Sequence, residues 1–152
     1  QLGTGGALRK ALPLLSDPFM TIYGDSYLPI NYNLIWNMFV QNNKFGLMTI
    51  YQNNNCGEKS NIFYQNQEIL MYNKKGCRQC KYIDYGITML TQDCLSSYPE
   101  NICFDLSVIH NDMIVSKSVL VYESYLSPHQ IGNIRGLKLF KDYFEKWKGN
   151  SL

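Results

Sequence analysis

Short apolar runs alternate along this chain with segments whose apolar residues recur at helical spacing, and this alternation constrains the fold more than any other feature. Strands are predicted over residues 19–23, 46–51, 61–64, 68–72, 81–90 and 118–122, the third and fourth forming a hairpin. Helices are predicted over residues 7–15, 33–40, 104–113 with Asp105 as N-cap, and 137–147. Because this alternation is typical of α/β domains, we expect a mainly parallel sheet flanked by helices, with ligands at the carboxyl ends of its strands.

The composition excludes several classes of protein. The 152 residues carry 14 Lys and Arg against 12 Asp and Glu, a formal net charge of +2, and 45% of them are apolar. Intrinsic disorder needs low hydrophobicity and high net charge, and no apolar run approaches the roughly 20 residues of a membrane helix. The basic residues are scattered, which argues against a nucleic acid partner. We therefore expect one globular domain with no membrane or nucleic acid partner, and a homo-oligomer is compatible with it.

The cysteines predict a reducing, cytoplasmic setting. They number five, at irregular spacing, in a chain long enough to fold without disulfides: Cys56, Cys77, Cys80, Cys94 and Cys103. Cys77 and Cys80 form a CxxC motif, but a structural zinc site needs two more ligands, and His110 and His129 are the histidines that would have to complete it. We expect thiols at the surface or half-buried beside a loop instead.

Two features near the amino terminus indicate a ligand site. Gly3, Thr4, Gly5 and Gly6 precede the first predicted helix, and glycines in a turn there let backbone amides approach a ligand, although such a turn also serves packing alone. Asp25 follows the apolar strand at 19–23, and a strand-end carboxylate suits a hard cation such as Mg²⁺. The alternative for Asp25 is a turn residue that caps the following loop.

Several segments taken together resemble the sugar-phosphate nucleotidyltransferases. They are residues 2–8 (LGTGGAL), 19–26 (FMTIYGDS), 82–87 (YIDYGI) and 131–133 (IGN) ahead of 136–137 (GL). Their order and spacing are similar to those of the family over nearly the whole chain, and they are similar in particular to the branch of heptose-1-phosphate and mannose-1-phosphate guanylyltransferases. The resemblance implies a Rossmann-like, GT-A-like domain.

The resemblance also implies an activity and a set of site residues. The enzyme would condense a nucleoside triphosphate, GTP by similarity, with a sugar 1-phosphate, releasing pyrophosphate and giving a nucleotide sugar for glycan or surface-polysaccharide precursors. Catalysis in such enzymes rests on positioning and on neutralising charge. The implied roles are Gly3, Thr4, Gly5 and Gly6 in the nucleoside pocket, Asp25 as a Mg²⁺ ligand, Lys74 at the sugar phosphate, and Asp84 and Gly86 at the sugar.

Two of these residues carry an alternative or a departure from the family. Lys74 also fits a solvated charge on a hairpin, and Lys75 could serve in its place. Asp84 stands where the family more often has Asn, and a carboxylate accepts hydrogen bonds without donating any, so it would select sugar hydroxyls differently.

Two further departures concern charge at the phosphates. The family's glycine-rich segment with an Arg and a later Lys has no counterpart in this sequence, and Gln130 stands where the family commonly has a second metal-binding Asp. We therefore expect residues 1–152 to be the carboxyl-terminal portion of a single nucleotidyltransferase domain, without its first βα unit and inactive alone. The alternative is a non-catalytic sugar-binding, nucleotide-binding or subunit-interface module, and a metal-dependent glycosyltransferase ranks last because Asp25 is not part of an acid pair.

Overall fold

The computed structural model describes residues 1–54 and 59–149 of the chain. The helices are α1 (Gly3–Ala11), followed by one 3₁₀ turn (Leu12–Leu14), α2 (Tyr32–Val40), α3 (Asp93–Ser96), α4 (Leu106–Val115) and α5 (Ile134–Gly149). The strands are β1 (Phe19–Ile22), β2 (Ser26–Tyr27), β3 (Gly46–Gln52), β4 (Ile62–Gln65), β5 (Glu68–Tyr72), β6 (Tyr82–Leu90), β7 (Val119–Ser124) and β8 (His129–Gln130). Every predicted strand is confirmed, whereas α3, β2 and β8 are too short to leave a periodic signal.

The α/β class is confirmed, but the sheet is mixed rather than mainly parallel. Within the described residues six strands form one sheet, with β6 between β3 on one side and β4 and β1 on the other. Strand β7 runs parallel to β3, whereas β1, β3 and β4 all run antiparallel to β6. The physical reason is the β4–β5 hairpin, which turns through Asn66 and Gln67 at positive φ and returns the chain along β3 without a crossover helix.

The helices pack their apolar residues against this sheet. Helix α2 begins where the Asn31 side chain accepts a hydrogen bond from the Leu34 amide, and it buries Ile35 and Phe39 against β3 and β6. Helix α4 buries Leu106, Ile109 and Met113 in a second cluster with α1 and β1. The predicted N-cap of α4 is confirmed, because the Asp105 carboxylate accepts from the Ser107 amide at 2.8 Å.

The glycine-rich segment is helix rather than a turn ahead of a helix, and that prediction is wrong. Helix α1 begins at Gly3, whose φ of +69° suits glycine, and a side chain on Gly5 would overlap the Phe104 ring. The Gly5 and Gly6 amides both donate to the Phe104 carbonyl, at 3.0 and 3.2 Å. The glycines thus allow α1 to pack directly on the segment before α4.

The prediction of free thiols is wrong for the CxxC motif. Cys77 and Cys80 are joined in a disulfide across a tight turn, in which the Cys80 amide donates to the Cys77 carbonyl. That turn brings the two Cα atoms to 5.1 Å, within bonding reach, which the sequence spacing alone does not reveal. Cys94 and Cys103 are free, and Cys56 lies outside the described residues.

The second, two-stranded sheet joins residues far apart in sequence. Strand β2 pairs antiparallel with β8, so that Ser26 faces Gln130 and Tyr27 faces His129. Helix α5 then packs on this pair, with Phe140 against Tyr27 and Tyr143 against His129 at ring-centre distances of 4.8 and 4.1 Å. The end of β1 and the start of α5 are thereby held side by side.

None of the described helices has the length and apolarity needed to cross a membrane.

Candidate functional site

An open cavity of about 720 Å³ lies between the carboxyl end of β1, strand β6, the β5–β6 loop and the start of α5. Its size is in the range that holds a nucleotide or a sugar phosphate. Three of the residues singled out in the sequence line it together, namely Asp25, Lys74 and Asp84. The chain therefore brings the predicted site residues of three separate segments to one place.

One end of the cavity is built around Asp25. This residue is exposed at the turn after β1, and its Oδ2 accepts a hydrogen bond from Nε2 of Gln130 at 3.3 Å. The β2–β8 pairing produces the contact, because it sets Ser26 opposite Gln130. The Ile131 amide also donates to the Asp25 carbonyl at 2.8 Å, which ties the two loops together. Gln130 thus lies beside Asp25, as the resemblance implied.

Two glycines allow α5 to start against this pair. A Cβ on Gly132 would lie 2.7 Å from the Cβ of Asp25, and a Cβ on Gly136 would overlap the Gln130 carbonyl. Asn133 caps the helix, since its Oδ1 accepts from the Gly136 amide at 2.8 Å. Asn133, Arg135 and Gly136 all line the cavity. The positive, amino-terminal end of α5 therefore borders the cavity, with Arg135 in its first turn.

A second charged group of the cavity is Lys74, in the loop after β5. Its ammonium group pairs with Oδ2 of Asp105 at 2.7 Å, with both side chains roughly half exposed. The Thr4 hydroxyl donates to the same oxygen at 3.3 Å. Partial burial tends to raise the pKa of Asp105. The hydrogen bonds from Lys74 and Ser107 outweigh burial and hold this pKa below its ordinary value. Asp105 thus links Thr4, at the start of α1, to Lys74 in the cavity lining.

The floor of the cavity is a buried cluster around Asp84. Oδ1 of Asp84 accepts from the Gly86 amide at 3.0 Å, and Oδ2 accepts from the hydroxyls of Tyr23 and Tyr72 at 3.3 and 3.4 Å. Gly86 adopts φ +104° within β6, a conformation open to glycine, with the Tyr23 ring packed against it. Burial first, and then the Asp84 charge, raise the pKa of both tyrosines far above the ordinary value, so both hydroxyls keep their protons.

His110 lies behind this cluster, fully buried in α4. Its Nε2 is 3.1 Å from the Thr88 hydroxyl, and its Nδ1 is 4.0 Å from Oδ2 of Asp84, beyond hydrogen-bond distance. Burial lowers the pKa of His110, and the nearby Asp84 charge opposes that shift without overcoming it. The imidazole is therefore neutral at physiological pH.

Oxygen ligands lie together at the Asp25 end of the cavity. Besides the Asp25 carboxylate, the Ser26 hydroxyl and the Gln130 amide oxygen lie within 3.5 Å of each other. Hard oxygen ligands of this kind suit Mg²⁺ when substrate phosphates and water complete the coordination shell. Within residues 1–54 and 59–149, no three His, Cys, Asp or Glu side chains gather as a metal site. The donor set fits a cation that arrives with its phosphates rather than one held by the protein alone.

The structure separates the other predicted site residues from the cavity lining. Gly3, Gly5 and Gly6 pack against the segment at 102–105, and Thr4 contacts Asp105, so their place in a nucleoside pocket stays a prediction. Gly86 supports Asp84 from within β6. Sequence reasoning missed Tyr23, Tyr72 and His110, because their roles depend on contacts between β1, β5, β6 and α4 that leave no local pattern.

The sequence matches neither a protein-family model nor a curated protein. Solved structures do match the fold. A structure from Bacillus anthracis assigned as a glucose-1-phosphate thymidylyltransferase, with sucrose bound, superposes with a TM-score of 0.77 at 14% identity, covering 90% of this chain and 58% of that one. HddC from Yersinia pseudotuberculosis gives 0.73 at 18% identity, covering 94% and 63%. The inositol-1-phosphate CTP transferase of T. maritima gives 0.71 at 16%, covering 92% and 60%.

The chain thus has the fold of sugar-phosphate nucleotidyltransferases and spans about three-fifths of the length of these structures.

Proposed function

We propose that this chain carries the sugar-phosphate side of a nucleotidyltransferase that joins a nucleoside triphosphate to a sugar 1-phosphate. The observation that carries the proposal is that Asp25, Lys74 and Asp84, from three separate segments, line one cavity. An oxygen of the sugar phosphate would attack the α-phosphorus as the bond to the β-phosphate breaks, and pyrophosphate would leave with the electron pair. A cytoplasmic reaction that supplies glycan precursors belongs to the same proposal.

In this proposal the acidic residue Asp25 binds the cation, and the basic residues of the cavity bind phosphate. Asp25 would hold Mg²⁺ together with the phosphates, with oxygens of Ser26 and Gln130 beside it. The chemistry that Mg²⁺ supplies when bound is neutralisation of phosphate charge. Arg135 and the positive end of α5 would bind phosphate oxygens at the same end. Lys74 would bind the sugar phosphate by leaving Asp105 for the ligand.

The remaining residues would position the two substrates. Asp84 and the tyrosine hydroxyls at the floor would contact the sugar ring, and Gly86 would hold Asp84 in place through its amide. Gly3, Thr4, Gly5 and Gly6 would line the nucleoside pocket through the start of α1. We favour guanine as the base of the nucleotide, because HddC, which has this fold, has also been solved in complex with GMP-PN.

A non-catalytic binding module is the second candidate, and the Asp25–Gln130 contact favours it. Gln130 donates to Asp25 where a second carboxylate would share a cation, so the metal end carries one negative charge instead of two. Lower charge weakens the hold on a divalent cation, while leaving the sugar end of the cavity unchanged. Such a module would bind a sugar phosphate without turning it over.

Pyrophosphate release separates the two candidates. The natural full-length protein is incubated with GTP, Mg²⁺ and each of a set of sugar 1-phosphates, with Asp25→Ala as the matched control. If the protein is an enzyme, pyrophosphate release should need both the sugar phosphate and Mg²⁺, and it should be absent from the variant. Binding of a sugar phosphate by calorimetry with no release from any triphosphate would instead support the module, and absence of binding would contradict both.

A further inference from the structure

The floor of the cavity has an unusual balance of hydrogen-bond donors and acceptors. The hydroxyl groups of Tyr23 and Tyr72 both donate their hydrogen bonds to the same oxygen of Asp84, Oδ2. Because a hydroxyl has one proton, the lone pairs that remain on each tyrosine oxygen can only accept. Asp84, whose side chain is 5% exposed, likewise only accepts. Three neighbouring side chains therefore present acceptors alone.

No cation among the described residues lies within hydrogen-bond distance of the Asp84 carboxylate. His110 is the nearest basic side chain, but it is neutral and stands 4.0 Å away. Lys74, which lines the same cavity, is engaged with Asp105. A cation that reaches a buried carboxylate binds it strongly when the carboxylate is otherwise stabilised only by neutral donors.

From this geometry we infer that the cavity floor selects a sugar phosphate that carries a protonated amino group on its ring. The inference rests on the proposed function and names its substrate class. An ammonium group supplies a positive charge for Asp84 and has further protons for the oxygens of Tyr23 and Tyr72. A ring hydroxyl brings one proton and no charge, and an N-acetyl group brings one N–H, no charge and more bulk.

Asn61 explains how the rest of the sugar is accommodated beside this group. Its Oδ1 accepts from the Asp84 amide at 3.0 Å, so its NH₂ group remains the donating part of a side chain that lines the cavity. That NH₂ group would donate to a neutral hydroxyl of the bound sugar. Asn61 thus adds a donating group beside the acceptors of Asp84, Tyr23 and Tyr72.

Calorimetric titration with three ligands tests the inference: glucosamine 1-phosphate, glucose 1-phosphate and N-acetylglucosamine 1-phosphate. Wild-type protein should bind the first at least about ten-fold more tightly than the second, the usual order of one charged hydrogen bond. Asp84→Asn should bind both with similar affinity, because the amide removes the charge at nearly constant size. Lys81→Gln removes an exposed charge three residues from Asp84 and outside the cavity lining, so it is the matched control and should keep the preference.

A pH series on the wild-type protein provides a second measurement that does not depend on the variant folding. The ratio of the two affinities should fall toward one when the pH is raised until the ligand amine is neutral. Equal affinities in the wild type, a ratio independent of pH, or a preference that survives in folded Asp84→Asn would each overturn the inference while leaving the proposed function in place. No binding of any sugar phosphate would remove the proposed function and the inference with it.

Discussion

The two carboxylates of the cavity, Asp25 and Asp84, stand in opposite environments. Asp25 is exposed on a turn and accepts side-chain hydrogen bonds from the Ser26 hydroxyl and from Gln130, the latter across a pair of two-residue strands. Asp84 is buried within a nine-residue strand and accepts from two tyrosine hydroxyls and a backbone amide. An exposed carboxylate is free to bind an ion, whereas a buried one is committed to its surroundings. Asp25 therefore serves the ligand alone, whereas Asp84 serves both the ligand and the fold.

The largest expected effect is on turnover, at Asp25. In the natural full-length protein, Asp25→Ala should lower kcat by roughly 100-fold or more, the usual order for a lost charge-stabilising group. Its free energy of unfolding should change by no more than about 0.5 kcal/mol, since the side chain is exposed. Pyrophosphate release and urea denaturation measure the two quantities. Retained activity, or a large loss of stability, would remove the distinction between the carboxylates.

The next largest effect is on stability, at Asp84. Asp84→Ala leaves the Tyr23 and Tyr72 hydroxyls and the Gly86 amide without their acceptor in a buried setting. We expect a loss of about 2–4 kcal/mol in the free energy of unfolding, as is usual for a broken buried network. Urea denaturation measures it against Asp25→Ala as the exposed counterpart. Equal stabilities of the two variants would mean that burial does not separate their roles.

A smaller effect is expected on the metal end alone. Gln130→Asp returns a second carboxylate beside Asp25 and should tighten the Mg²⁺ requirement by about ten-fold, the order of one added charge contact. The Mg²⁺ concentration for half-maximal pyrophosphate release, or for half-maximal nucleotide binding, measures it. Gln130→Glu places the same charge one methylene further out and serves as the control for reach. An unchanged titration in both variants would mean that Gln130 does not face the cation.

The smallest effect is a pH dependence of stability from His110, behind the floor. Burial lowers the pKa of its imidazole in the folded state, so below the ordinary value of about 6.5 the unfolded chain binds a proton that the folded chain refuses. Stability should therefore fall as the pH drops through that value, with a slope of at most about 1.4 kcal/mol per pH unit. Urea midpoints between pH 7.5 and 5.5 measure it.

His110→Gln provides the comparison for that slope, because the amide cannot be protonated in this range. Burial also lowers the pKa of His129, which contributes equally to both proteins. A shallower slope in His110→Gln is expected, and identical slopes would show that folding leaves the pKa of His110 unchanged.

The same contrast explains how much of the molecule could be predicted from its sequence. Asp25 was found because it ends an apolar strand, and Asp105 because it precedes an apolar helix, both local signals. The positions of Tyr23, Tyr72 and His110 around Asp84 could not be predicted, because they depend on the order of the elements in the fold, which periodicity does not encode. The glycines at 3–6 were misinterpreted as a turn because a turn and a close helix contact need the same small residues.

The most direct test of the division between the two carboxylates is a Mg²⁺ titration in the presence of GTP, followed by calorimetry, for wild type, Asp25→Asn and Asp84→Asn. Each substitution removes one negative charge from the same cavity at nearly constant size. Asp25→Asn should lose most of the Mg²⁺-dependent binding, whereas Asp84→Asn should keep it. Equal losses in both variants, or a loss confined to Asp84→Asn, would show that Asp25 is not the carboxylate that holds the cation.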